Sequence, residues 1–98
     1  MDVEFADDSL DRLEVDAHFT GGFAQNIVRG YRKALQAIRA ATDERDLLAA
    51  RGLRYEKLLG QRAGQNSMRI NNQWRLIVEI VGDKNNKKIR VLAIEDYH

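Results

Sequence analysis

The sequence predicts an α+β fold, with N-terminal helices packed on one face of a twisted antiparallel sheet. Three observations carry that expectation. Apolar residues recur at helical spacing up to Gly52 and at a period of two after it. The period-two half is interrupted by Asn71-Asn72 and by Gly82-Asp83-Lys84-Asn85-Asn86, which read as turns between consecutive antiparallel strands. The chain has 98 residues, 44% of them hydrophobic, which suffices for one modest core, so 1–98 reads as a single domain.

Val3-Glu4-Phe5 alternates and reads as a short first strand. Asp8 or Ser9 can cap a helix that runs to Phe19, because a side-chain oxygen there takes a free backbone N–H. Leu10, Leu13 and Ala17 form its apolar stripe, and Thr20-Gly21-Gly22 stops it. A second helix is expected over 23–41, with Ile27, Tyr31, Leu35 and Ile38 toward the core and Arg29, Arg32, Lys33, Gln36 and Arg39 away from it. Thr42 caps a short third helix over 43–50, whose acidic first turn suits the helix dipole, and Gly52 ends it. Residues 53–58 then read as a strand and 60–64 as a loop. The strand over 67–71 sets Met68 and Ile70 against Ser67 and Arg69. Asn71-Asn72 suits a tight turn because Asn tolerates left-handed backbone. The next strand, 73–81, carries Leu76, Val78 and Ile80 as its apolar set, and 88–95 closes the sheet. Helices on one face leave the other open, and alternating strands have a polar side to present there.

Composition excludes several classes. The absence of Cys removes disulfides and thiolate metal sites. Only His18 and His98 remain as imidazoles, which argues against a structural zinc, and no metal or cofactor is expected. Apolar runs such as Leu76-Ile77-Val78 are far too short to span a bilayer. The acidic start, Met1-Asp2-Val3-Glu4, does not resemble a signal peptide, so a cytoplasmic protein without membrane contact is expected. The net charge of +1 conceals an asymmetry. Residues 1–50 hold six Lys/Arg against ten Asp/Glu, a balance of −4, and residues 51–98 hold ten against five, a balance of +5. A phosphate-bearing partner is therefore sought in the second half.

There the strand alternation puts Arg69 and Arg75 on one side of a hairpin, with Arg62 in the preceding loop and Arg54 and Lys57 before it. Cations on one open face repel unless an anion sits between them. Arg is shaped for bidentate phosphate contact. The alternative is that these cations pair with Glu56, Glu79 and Glu95 as weak surface ion pairs. Trp74 is expected to pack at the core edge. Tyr97, near the chain end, is a candidate for base stacking or a hydroxyl role. His98 suits proton transfer if the last strand holds it at the open face; otherwise it is a frayed terminal residue. His18 reads as an exposed or half-buried helix residue.

The run Ser67-Met68-Arg69-Ile70-Asn71-Asn72-Gln73-Trp74-Arg75-Leu76 resembles the arginine-strand, Trp-Arg-strand hairpin of HigB toxins in the RelE superfamily. Leu53-Arg54-Tyr55-Glu56-Lys57-Leu58-Leu59-Gly60-Gln61-Arg62 resembles the family segment leading to a Lys-Gly-Asp-Arg loop, and Glu95-Asp96-Tyr97-His98 resembles the closing Asp-Tyr-His. The resemblance covers 52–98 in order and spacing, and the helical half only in pattern and length. It implies a RelE-like microbial RNase fold. It further implies an endoribonuclease that works on the ribosome, cuts mRNA through the RNA's own 2′-hydroxyl without metal, and is restrained by a helix-turn-helix, HigA-like antitoxin. Carried onto this chain, His98 does acid/base work, Asp96 orients it, and Tyr97 stacks on a base or assists proton transfer. Arg75 and Arg69 neutralise the phosphate, while Arg62, Arg54 and Lys57 hold RNA. Two positions depart from the pattern. Glu56 stands where some members have a catalytic His, and is either a general base or a plain strand residue. Leu59 stands where a Lys is expected. Two rival functions share the fold: a ParE-like gyrase inhibitor, and a non-catalytic RNA- or protein-binding module.

Overall fold

The computed structural model describes residues 1–97, so His98 lies outside the described residues. Strand β1 (Asp2–Phe5) leads into helices α1 (Asp8–Val15), α2 (Gln25–Ala40) and α3 (Glu44–Ala49). Strands β2 (Glu56–Lys57), β3 (Gln65–Arg69), β4 (Trp74–Val81) and β5 (Lys88–Asp96) follow. The α+β expectation and the layer order hold. The sheet order is β1-β5-β4-β3-β2, with β2 to β5 an antiparallel meander. One expectation is corrected: β1 joins β5 in parallel, pairing Val3 with Ile89 and Phe5 with Val91, so the sheet is mixed. The long connection that parallel neighbours require runs here through the three helices and then strands β2 to β4.

Local chemistry shifts several boundaries. Asp7, not Asp8 or Ser9, caps α1, its Oδ1 accepting from Leu10 N–H at 2.9 Å and from the Ser9 hydroxyl at 2.8 Å. The helix stops at Val15, because Asp16 turns extended and its side chain takes the His18 N–H at 2.9 Å. Ala17 and His18 therefore lie beyond the helix and are exposed. Asp43, not Thr42, caps α3 by accepting from Arg45 N–H. The strand expected over 53–58 is mostly irregular: a 3-10 turn, Arg51–Leu53, precedes a left-handed Arg54 (φ 47°), and only Glu56–Lys57 pair with β3. Asn71 and Asn72 stay out of the left-handed region. Asn71 instead closes the turn with its side chain, Oδ1 accepting from the N–H groups of Gln73 (2.9 Å) and Trp74 (2.8 Å).

The core lies between the sheet and α1–α3. Val28, Tyr31, Leu35 and Ile38 of α2 meet Met68, Leu76, Val78, Ile89 and Val91, with Ile70, Ile80 and Ile94 packed at the margin. Ile27 is buried outside that cluster. Tyr31 donates its hydroxyl to the Leu10 carbonyl at 2.7 Å, which ties α2 to α1, and burial raises its pKa. Trp74 meets Phe23 edge-on at 5.9 Å, the expected core-edge position. A Cβ on Gly30 would stand 2.6 Å from both Cγ2 and the carbonyl oxygen of Ile70, so the absence of a side chain lets α2 lie close over the β3–β4 turn. Among the described residues, no helix is long and apolar enough to cross a membrane.

Candidate active site on the open sheet face

Antiparallel register decides which side chains share a face, because directly paired residues project to the same side. Ser67 pairs with Glu56 on one flank and with Ile77 on the other, while Arg69 pairs with Arg75 and Arg75 with Glu95. All of these stand on the open face, opposite Met68, Leu76 and Val78. Lys57 does not join them. It pairs with Asn66, which pairs with Val78, and it lines a hollow with Glu44 and Ile80 on the helical side.

Arg75 is the centre of the site. It is only 8% exposed, an unusual burial for a guanidinium. Its Nη2 donates to the Ser67 hydroxyl at 2.9 Å and to the Arg54 carbonyl at 2.6 Å, with Ser67 O further off at 3.4 Å. The left-handed backbone of Arg54 belongs to the same stretch as that carbonyl. The Arg75 Nε is buried with no hydrogen-bond partner. Burial lowers the Arg75 pKa, while the charges of Glu56 and Tyr97 act in the opposite sense. Its Cζ lies 5.7 Å from the centre of the Tyr97 ring, within cation–π range. Tyr97 is 47% exposed, yet its N–H donates to the Gln73 carbonyl at 2.7 Å, so the end of the sheet holds it in place.

Arg54, Arg69, Arg75 and Tyr97 line a cleft of about 210 Å³ together with Asn71 and Asn72. Arg69 donates to the Asn72 side chain. Among the described residues Arg54, Arg69 and Arg75 form no ion pair. The surface-pairing alternative applies elsewhere. Arg62 holds Glu95 by two bonds of 2.8 Å, its Nε donates to Gln65 Oε1, and Arg90 bridges Glu79 and Glu4. Arg62 thus reaches the open face with its charge matched. Asp96 pairs with Trp74 in the sheet, and its Oδ2 accepts from Gln73 Nε2 at 2.9 Å; its relation to His98 lies outside the described residues. Glu56 is exposed on the open face near Arg75.

Three contributors escaped the sequence reading: Ser67 as a brace for Arg75, and Asn71 and Asn72 in the cleft wall. The alternation of β3 puts Ser67 on the arginine side, but only register with β4 brings its hydroxyl to Arg75. Among the described residues no cluster of acids and imidazoles has the makings of a metal site.

The structure is similar to the "YoeB/ParE toxin from Agrobacterium tumefaciens", with TM-score 0.58, 18% identity and full coverage of both chains. It is also similar to a chain of the "YoeB-YefM complex from Staphylococcus aureus", with TM-score 0.56 and 20% identity, covering 100% of this chain and 97% of that one. At such identities the likeness establishes the fold. No curated sequence relative matches. Residues 3–98 match the family described as "RelE-like toxin of type II toxin-antitoxin system HigB", and the chain belongs to that family.

Proposed function

We propose that this toxin is a ribosome-dependent endoribonuclease that cuts mRNA without a metal and so stops translation in the cytoplasm. The observation that carries the reading is the half-formed anion site: a buried, braced Arg75 beside Arg54 and Arg69, none of them ion-paired among the described residues. A phosphate oxygen would complete it. In the reaction the RNA 2′-oxygen bonds to phosphorus as the bond from phosphorus to the 5′-oxygen breaks. A base takes the 2′-hydroxyl proton and an acid returns one to the 5′-oxygen, leaving a cyclic phosphate and a 5′-hydroxyl. Arg75, with Arg69 and Arg54, would stabilise the charge on the pentacoordinate phosphorus. Tyr97, fixed over Arg75, would stack on a base or relay a proton. Glu56 would act as base and His98 as acid, and Asp96 would orient His98. Arg62 would serve through Glu95, and Lys57, on the helical side, would touch RNA only at the rim.

A helix-turn-helix, HigA-like antitoxin is the proposed partner; the YoeB-YefM complex among the similar structures supports an antitoxin partner in general. The acidic N-terminal half offers it a surface away from the cleft.

Single-turnover cleavage on programmed ribosomes tests the reading, with end-mapping of cellular RNA beside it. Arg75→Ala is expected to lose about 10²–10³-fold in rate. Deletion of His98 is expected to cost about 10²–10⁴-fold with the melting temperature unchanged. Full activity of a chain ending at Tyr97 would remove His98 from the mechanism. DNA damage with intact messages would instead indicate gyrase poisoning, and normal growth a non-catalytic module.

A further inference from the structure

A guanidinium can grip a phosphate with two prongs in two ways, and both ways use Nη2. The end-on fork pairs Nη1 with Nη2, and the side-on fork pairs Nε with Nη2. In Arg75 neither fork is free. Nη2 carries two protons, and two good acceptors take them: the Ser67 hydroxyl at 2.9 Å and the Arg54 carbonyl at 2.6 Å. Nε is sealed from solvent without a partner. Nη1 also has no hydrogen bond among the described residues, but it keeps an opening to solvent, on a side chain that lines the arginine cleft. Both acceptors are unusual in their setting. Arg54 is the one residue other than glycine with a positive φ (47°) among the described residues, in a region that disfavours side chains, and its carbonyl reaches Arg75 from there. Ser67 is fully buried, where a hydroxyl needs a partner, and the guanidinium supplies it.

We infer that Ser67 is a positioning residue for RNA cleavage: together with the Arg54 carbonyl it locks Nη2, so that Arg75 meets the scissile phosphate through Nη1 alone, at one of the two non-bridging oxygens. The inference rests on the RNA-cleaving reading above and narrows it. The bidentate contact that the shape of arginine suggests is replaced by a single directed one. A fork spans both non-bridging oxygens, whereas one fixed donor selects between them.

The test is single-turnover cleavage by the full chain on programmed ribosomes, with the scissile phosphate as the ordinary ester and as each of its two phosphorothioate diastereomers. Sulfur is a poor hydrogen-bond acceptor, so each diastereomer weakens the contact at one oxygen. On the ordinary message Ser67→Ala is expected to lower the saturating rate about tenfold with half-saturation retained, the pattern of an interaction made in the transition state. On one diastereomer the same substitution is expected to add almost no further loss, and on the other the full loss again. Ser67→Cys, close to serine in volume but a weak acceptor, is expected to behave in the same way and stands in if the alanine chain unfolds. Wild-type rates in the folded variant, or a loss of equal size on all three substrates, overturn the inference, because Ser67 then serves only the fold. A loss that vanishes on both diastereomers means that Arg75 grips both oxygens, and overturns it as well while leaving the nuclease standing. A wild-type chain that cuts no programmed ribosome carrying the ordinary message ends the parent reading and this inference together.

Discussion

The chemistry of the open face turns on which arginines are already satisfied. Arg75 and Arg62 look equivalent in the sequence, both being basic residues in the second half. In the fold one is buried against Ser67 with a spare Nε, and the other is spent on Glu95. Alternation sufficed to put Arg69 and Arg75 on one face, since β3 and β4 keep a regular two-residue period. Nothing local revealed that Glu95, paired opposite Arg75 in register, is held by Arg62 from a loop 33 positions away. That hold has a consequence. Without Arg62, Glu95, paired opposite Arg75 in the sheet, is released to turn onto Arg75 and cancel its charge. Arg62→Ala is therefore expected to lower single-turnover cleavage about tenfold or more, by occupying the transition-state contact. Adding Glu95→Gln should restore most of the loss. Non-additivity in this double-mutant cycle is the diagnostic. Two losses that simply add would mean that Arg62 contacts the RNA itself.

Elements were legible where periodicity or apolar pattern is long, and illegible where one side chain decides. The sixteen-residue α2 stands close to its expected span because a full apolar stripe marks it. Helix α1 ends four residues early, because Asp16 competes for the backbone, as short polar side chains do. Strand β2 shrinks to two residues because the chain before it is committed to the 3-10 turn and the left-handed Arg54 that present a carbonyl to Arg75. The approach of α2 to the β3–β4 turn depends on Gly30, which the helical pattern alone marks only as a weak helix former. Gly30→Ala would relieve that weakness by about 1 kcal/mol in an isolated helix. In the folded chain the added methyl meets the Ile70 backbone oxygen, which cannot rotate away, so a net loss of about 1–3 kcal/mol is expected in urea unfolding. Asn71, next to Ile70, lines the arginine cleft, so cleavage should fall with it. A stabilised Gly30→Ala chain would show that the turn yields freely.

At the scale of the molecule, the mixed sheet separates two jobs. One face carries Met68, Leu76 and Val78 into the core, and the other carries the arginines that line the cleft, with Arg75 itself largely buried. The parallel seat of β1 beside β5 was not readable, because it joins residues as distant as Glu4 and Arg90 and no local pattern encodes that pairing. The charge asymmetry was readable, but its arrangement was not: the basic half also contains matched pairs, at Arg62–Glu95 and at Arg90 with Glu79 and Glu4. Only unmatched cations release counterions from an RNA strand when they meet it. The salt dependence of association with programmed ribosomes can therefore tell the two kinds apart. Arg54→Gln and Arg69→Gln are each expected to flatten the slope of log K against log salt by about 0.7, one phosphate contact on single-stranded RNA. Arg62→Gln should leave the slope nearly unchanged, because removing a cation already neutralised by Glu95 removes no phosphate contact. Equal flattening by all three would mean that RNA displaces Glu95 and opens the Arg62 pair on binding. Slopes unchanged for Arg54 and Arg69 would move the RNA path off this cleft.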